Sequence, residues 1–139
     1  MKSRIFLPLF IAYCAWPICH LRAQTTLAEV DSLLTLAHED TSLTNRINYV
    51  LRAESLSEDC PPCKARCLGE LGLLYCQEGH YEAGYDRMYA AIRLRRQLGD
   101  SLRVAGNFSN IAMYKQEQGN YEEAISNATT ALHILEELH

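Results

Sequence analysis

Part of the chain repeats itself. Gly79-His80-Tyr81-Glu82 recurs as Gly119-Asn120-Tyr121-Glu122. The same offset of 40 residues pairs Leu68 with Phe108, Leu71 with Ile111, Gly72 with Ala112, Ala91 with Ala131, Ile92 with Leu132 and Leu98 with Leu138. One gapless offset held across about thirty positions restricts the fold to stacked like units, each burying its apolar face against its neighbour.

Each unit reads as two helices. Leu68, Leu71, Gly72 and Tyr75 fall at i, i+3, i+4 and i+7, the spacing of one apolar and small helical face, and Gly79 stops that helix. From Tyr81, the spacing of Gly84, Met88, Ala91, Ile92 and Leu98 predicts a second amphipathic helix, ended by Gly99-Asp100-Ser101. The next unit repeats the plan with Phe108, Ile111 and Ala112, a break at Gly119, and then Ala124, Ala128, Ala131, Leu132 and Leu135. Upstream, Leu27, Val30, Leu33, Leu34 and Ala37 form one further stripe, and Ile47, Val50, Leu51 and Leu56 another, divided by the polar stretch from Glu39 to Thr44. No strand-period segment follows residue 24, so an all-α fold is expected.

The pattern Leu68-x-x-Leu71-Gly72-x-x-Tyr75-x-x-x-Gly79-x-Tyr81-x-x-Gly84-x-x-x-Met88-x-x-Ala91 resembles the tetratricopeptide repeat signature, and Gly119-x-Tyr121-Glu122-Glu123-Ala124 through Ala131-Leu132 resembles its second half. Small residues at 72, 84, 91, 112, 124 and 131 would let antiparallel helices approach, with the large ones at 68, 75, 81, 88, 108 and 121 filling the gaps. Departures are Gly84 in place of the usual Ala, Met88 in place of an aromatic, and Lys115 in place of Tyr; no Pro closes either unit. The 40-residue period resembles the longer-helix variety in which a triplet such as Leu98-Gly99-Asp100 ends each unit.

This resemblance implies a right-handed antiparallel helix-pair α-solenoid of two to three repeats: a degenerate pair over 24–65, then units at 66–100 and 106–139. It further implies that the first helix of each unit lines a concave groove for a protein or peptide partner. Glu70, Leu73 and Gln77 would face it from one unit, Asn110, Met113 and Glu117 from the next, and Asn110 would hold a peptide backbone or terminus. Similar repeats behind a signal peptide form the extracytoplasmic arm of bacterial membrane-bound sensors. The sequence stops at the end of a second helix with no polar cap, which leads us to expect an interrupted array or self-association through the C-terminal helix.

The first 23 residues differ in kind. Lys2 and Arg4 precede an almost uncharged apolar run from Ile5 to Cys19, and Leu21-Arg22-Ala23 closes it, the tripartite pattern of a secretory signal peptide. The run is shorter than the ~20 residues of a spanning helix, and Pro8 and Pro17 interrupt it. Cleavage after Ala23, export, and no membrane insertion afterwards are the expectation. The whole chain has 13 Lys plus Arg against 17 acids; removing Lys2, Arg4 and Arg22 leaves a segment of net charge −7. An anionic segment is a poor match for nucleic acid and a better one for a protein or peptide.

Outside the leader, four cysteines remain: Cys60, Cys63, Cys67 and Cys76. Cys60-Pro61-Pro62-Cys63 has redox spacing, yet thioredoxin-like chemistry uses a βαβ unit and none is predicted. Export favours a disulfide, as a small Cys60–Cys63 loop or a Cys60–Cys67 staple. Free structural thiols, zinc held by Cys60, Cys63 and Cys67 with Cys76 or His80, and thiol redox chemistry stay open as alternatives. His20, His38, His80, His133 and His139 have no metal-binding spacing, and no nucleophile elbow or phosphate loop is present, so neither an enzyme nor a cofactor is expected. Arg93, Arg95, Arg96 and Arg103 form a basic cluster suited to a carboxylate or to a helix C-terminus. Asn107-Phe108-Ser109 and Asn127-Ala128-Thr129 match the glycosylation acceptor pattern within predicted helices.

Overall fold

The structure is a computed structural model and describes residues 26–138. Among these, α1 covers residues 26–39, followed by α2 (Leu43–Leu56), α3 (Pro61–Gln77), α4 (Tyr81–Gln97), α5 (Ser101–Glu117) and α6 (Tyr121–Glu136), with no strand. The expected leader at residues 1–23 lies outside the described residues. No described helix is long and apolar enough to cross a membrane.

Helix ends follow from local chemistry. Ser42 and Asp100 accept backbone N–H bonds from Asn45 and Arg103, which satisfies donors at the starts of α2 and α5. Pro61 opens α3, where its missing N–H costs nothing. Gly79, Gly99 and Gly119 have φ of 89°, 72° and 76°, values that cost an L-residue about 1 kcal/mol or more. Past each glycine the next N–H returns to the helix: His80 to the Tyr75 carbonyl at 2.8 Å, Asp100 to that of Arg95 and Asn120 to that of Lys115, both at 2.9 Å. Helices α3, α4 and α5 each have 17 residues. With three-residue turns, two such helices account for the 40-residue period.

Those turns reverse the chain, so neighbouring helices run antiparallel. α3 packs along α4 and α5 along α6, while α2 joins α3 and α4 joins α5. This is the all-α, solenoid-like stacking of helix pairs expected from the repeat. One core cluster unites Val30, Leu33, Leu34 and Ala37 of α1 with Ile47 and Val50 of α2 and Cys67, Leu71 and Leu74 of α3. A second joins Cys76, Tyr85, Met88, Ile92, Val104, Ile111 and Tyr114. Helices α3 and α4 cross where both lack a side chain. A Cβ at Gly72 would lie 2.5 Å from Met88 Cγ and 2.9 Å from the Gly84 carbonyl oxygen; one at Gly84 would lie 2.4 Å from Cys76 Sγ.

Some apolar positions depart from their expected burial. Leu27, Leu51, Leu56, Leu98, Tyr121 and Leu132 are exposed. Leu98 is the residue that caps α4, where the helix already turns away. Tyr121 and Leu132 lie on a face of α6 that no described element covers, so the right periodicity does not bury them there.

Candidate functional site

The implied groove residues divide among four places. Glu70 and Leu73 of α3 and Asn110 of α5, 40 residues apart in the Glu70–Asn110 pair, line one cavity of about 220 Å³, together with Gly69, Arg95, Leu102, Arg103, Gly106 and Asn107. Gln77 is exposed at the end of α3, where Arg46 Nη1 donates to its Oε1 at 3.4 Å. Glu117 is exposed at the end of α5. Met113 points elsewhere: it lines a larger apolar depression of about 500 Å³ on the α5–α6 face, with Ala112, Tyr121, Ile125, Ala128 and Leu132.

Between α3 and α5 the chemistry centres on Arg95. This side chain is only 8% exposed. Its Nη1 donates to Asn107 Oδ1 at 2.8 Å and to the Arg103 carbonyl at 3.3 Å. Buried Nε has no partner. Asn107, 4% exposed, is itself fixed by donating from Nδ2 to the Met88 carbonyl at 3.4 Å. Gly69 of α3 leaves the room: a Cβ there would stand 3.0 Å from Arg95 Nη2. Burial pushes the Arg95 pKa below its ordinary value, against the opposing attraction of Asp100.

The surrounding charges are paired off. Arg66 of α3 bonds Asp31 of α1. Arg103 Nη1 bonds Asp100 Oδ2 at 2.9 Å, and although partial burial alone would raise the Asp100 pKa, its hydrogen bonds with Arg103 hold it below the usual range. Glu70 faces His38 Nε2 at 4.0 Å on the rim. Arg95 forms no ion pair among the described residues, and it also borders a second cavity, of about 350 Å³, with Cys63, Arg66, Leu98 and Asp100.

The basic cluster of the sequence is therefore not one site. Arg93 and Arg96 are exposed, Arg96 lying 5.7 Å from the Phe108 ring centre, while Arg95 alone turns inward. Sequence reasoning missed that burial, along with the roles of Gly69 and Asn107. A signal was available in the repeat: Leu135 stands 40 residues after Arg95 and Cys67 stands 40 before Asn107, so both polar residues replace less polar ones at one interface. With Asn107 buried, its glycosylation pattern is inside the fold. Asn127 is partly exposed in α6 and donates to the Glu123 carbonyl at 2.7 Å.

The cysteines take one of the expected pairings. Cys60 and Cys63 form a disulfide across the start of α3, with Cα atoms 5.2 Å apart. Cys67, a candidate for a staple to Cys60, is instead a free buried thiol beside Ser57; Cys63 lies nearer in sequence, and helical α3 carries Cys67 another turn into the core. Desolvation, reinforced by Glu54, pushes the Cys67 thiol up to about 11. Cys76 is also free and buried, and desolvation with the Glu117 charge raises it to about 11. Such thiols are poor nucleophiles near neutrality. In the disulfide neither Cys60 nor Cys63 offers the thiolate a zinc site needs, and among the described residues no three His, Cys, Asp or Glu side chains converge as metal ligands would.

No protein-family model, curated protein or solved structure matches the chain, so its likeness to tetratricopeptide repeats rests on the residues quoted above.

Proposed function

We propose that the chain is the interaction module of an exported repeat protein of the tetratricopeptide kind, without chemistry of its own, binding a protein or peptide segment in the groove between α3 and α5. One observation carries this reading: Glu70, Leu73 and Asn110, separated by a full repeat in sequence, border a single cavity. Its walls offer an apolar surface, a carboxylate and amide groups, the mixture an extended peptide needs for side-chain burial and main-chain hydrogen bonds. The test is a selection of peptides displayed on phage, followed by amide-shift mapping of the winners on labelled protein. Shifts at Glu70, Leu73 and Asn110 are expected, and Asn110→Ala should weaken binding by about 1 kcal/mol, or fivefold. Peptides that bind with equal strength to the variant and perturb other faces would refute it.

Thiol exchange at Cys60-Pro61-Pro62-Cys63 is the second reading. In its favour, Cys60 stands at the N-cap of α3, the positive end of the helix dipole. Fast, pH-dependent alkylation of Cys60 after mild reduction would favour this reading over a purely structural disulfide, and slow alkylation would remove it.

A further inference from the structure

We infer that the uncovered apolar face of α6 seats a second copy of this chain, laid antiparallel about a two-fold axis at Ala128. Tyr121, Ile125, Ala128, Leu132 and Leu135 line one depression and recur at alternating steps of four and three, the seam spacing of paired helices. Tyr121, Ile125 and Leu132 are each more than half exposed, and among the described residues no helix occupies the depression. On the preceding pair the equivalent face, with Tyr81, Tyr85, Met88 and Ile92, is filled by Val104, Ile111 and Tyr114 of α5. The surface is thus of a kind that this molecule already closes with a helix.

The stripe is its own complement. Tyr121 and Leu135 each lie seven residues from Ala128, while Ile125 and Leu132 lie three and four away. Against an antiparallel second copy, Ile125 therefore meets Leu132 of that copy and Tyr121 meets its Leu135, each contact made twice, which is an isologous and closed interface. Helices α3 and α4 cross where Gly72 and Gly84 let them approach, and Ala128, exposed in the middle of the stripe, offers the same close approach. A head-to-tail partner finds no matching seat at the other end: exposed Leu36 and Leu51 stand among Ser32, Thr35, Asn48 and Arg52, with no continuous apolar stripe. Glu122 and Glu136 each stand one residue beyond a stripe position, so antiparallel pairing brings Glu122 of one copy near Glu136 of the other. That repulsion keeps the association weak. The depression shares no residue with the α3–α5 cavity, so the pairing does not rest on the peptide-groove reading.

Sedimentation velocity of the purified protein tests this. A contact of one helix face belongs with the weak, transient interfaces, so half of the chains should be paired at about 10–100 µM and nearly all should be monomeric at about 1 µM. Ile125→Lys, at an exposed position, should keep the helical circular dichroism and weaken pairing at least about tenfold. Glu122→Lys or Glu136→Lys alone sets lysine against glutamate at both ends of the seam and should tighten pairing about fivefold; the two together restore like charges and should cancel that gain. Raising sodium chloride from about 50 to about 500 mM should tighten the unaltered protein by screening the glutamates. Ala128→Cys should link two copies on mild oxidation, the free Cys67 and Cys76 being buried. A monomer at about 1 mM would overturn the proposal, whether Tyr121 and Ile125 are then open to solvent or protected by another segment of the same chain. So would pairing that ignores Ile125→Lys, or lysine variants that fail to rank with both singles above the double.

Discussion

Helix pairs α3–α4 and α5–α6 share a period and a pattern but not an environment. Helix α4 buries Gly84, Tyr85, Met88, Ala91, Ile92 and Arg95, whereas α6 buries only Ala124 and Ala131. Ile125 and Leu132, the counterparts of Tyr85 and Ile92, are 67% and 57% exposed against 3% and 2%. The same spacing therefore sets which residues face inward toward the partner helix, namely the small ones at the crossing, while burial of the large ones depends on a further helix laid over the pair. In α4 that helix is α5, contributing Val104, Ile111 and Tyr114 to the shared cluster. Apolar periodicity reports a face; a neighbour converts it to a core.

The largest expected contrast comes from one substitution made in both units. Ala91→Arg forces a long cation into a fully buried helix contact and should cost about 3 kcal/mol or more, through overpacking and an unpaired charge. Ala131→Arg has the open α6 face to escape into and should cost less than about 1.5 kcal/mol. Circular dichroism melts of the two variants check this, and equal losses would break the comparison. Truncation should come next. Met88→Ala removes a side chain with no exposure and is expected to cost about 2–5 kcal/mol, while Ile125→Ala should stay within about 0.5 kcal/mol. Denaturant titration measures both.

At the crossings, Gly72→Ala pushes a methyl against Met88 and the Gly84 backbone, for a loss of about 1–3 kcal/mol. The opposite exchange, Ala112→Gly, should cost about 1 kcal/mol through helix propensity. The smallest effect is electrostatic and confined to α3. Folded Cys67 and Cys76 remain protonated up to about 11, above the ordinary thiol value in the unfolded chain. The folded state then binds more protons, so the stability these thiols contribute is complete below the unfolded pKa and is lost as pH rises toward 11. Between pH 8 and 9 the loss from the two thiols together should be about 1 kcal/mol. Amide exchange should show α3 loosening before α5–α6, which holds no cysteine, and a Cys67→Ala, Cys76→Ala variant should lose the difference.

How much of this was legible in sequence follows from the range of the forces. Helix limits were readable because glycines at positive φ and Pro61 act within one turn of themselves. Small residues at 72, 84, 112 and 124 marked the crossings because backbone contact leaves no substitute. Arg95 was opaque: near the end of a helix an arginine fits the dipole on the surface equally well, and its burial is decided by Gly69 and Asn107 on two other helices. Met113 was assigned to the groove by repeat position, yet it belongs to the α6 face, since α5 presents Asn110 and Met113 in different directions. The Cys60–Cys63 pairing was one of two arrangements open from spacing alone.

The crossing of α3 over α4 also bears on how such repeats diverge. Where the earlier unit has Gly72 beneath Met88, the later one has Ala112 and Ala128. Bulk has moved across the helix pair, one methyl gained on one side and a long side chain given up on the other. A lineage changing Gly72 first would carry the clash with Met88 until the second change arrived, and in either order the two helix backbones must also part, because the Gly84 carbonyl oxygen stands 2.9 Å from the new methyl. Changes at that crossing are therefore coupled across both helices, whereas exposed positions of the repeat can change one at a time.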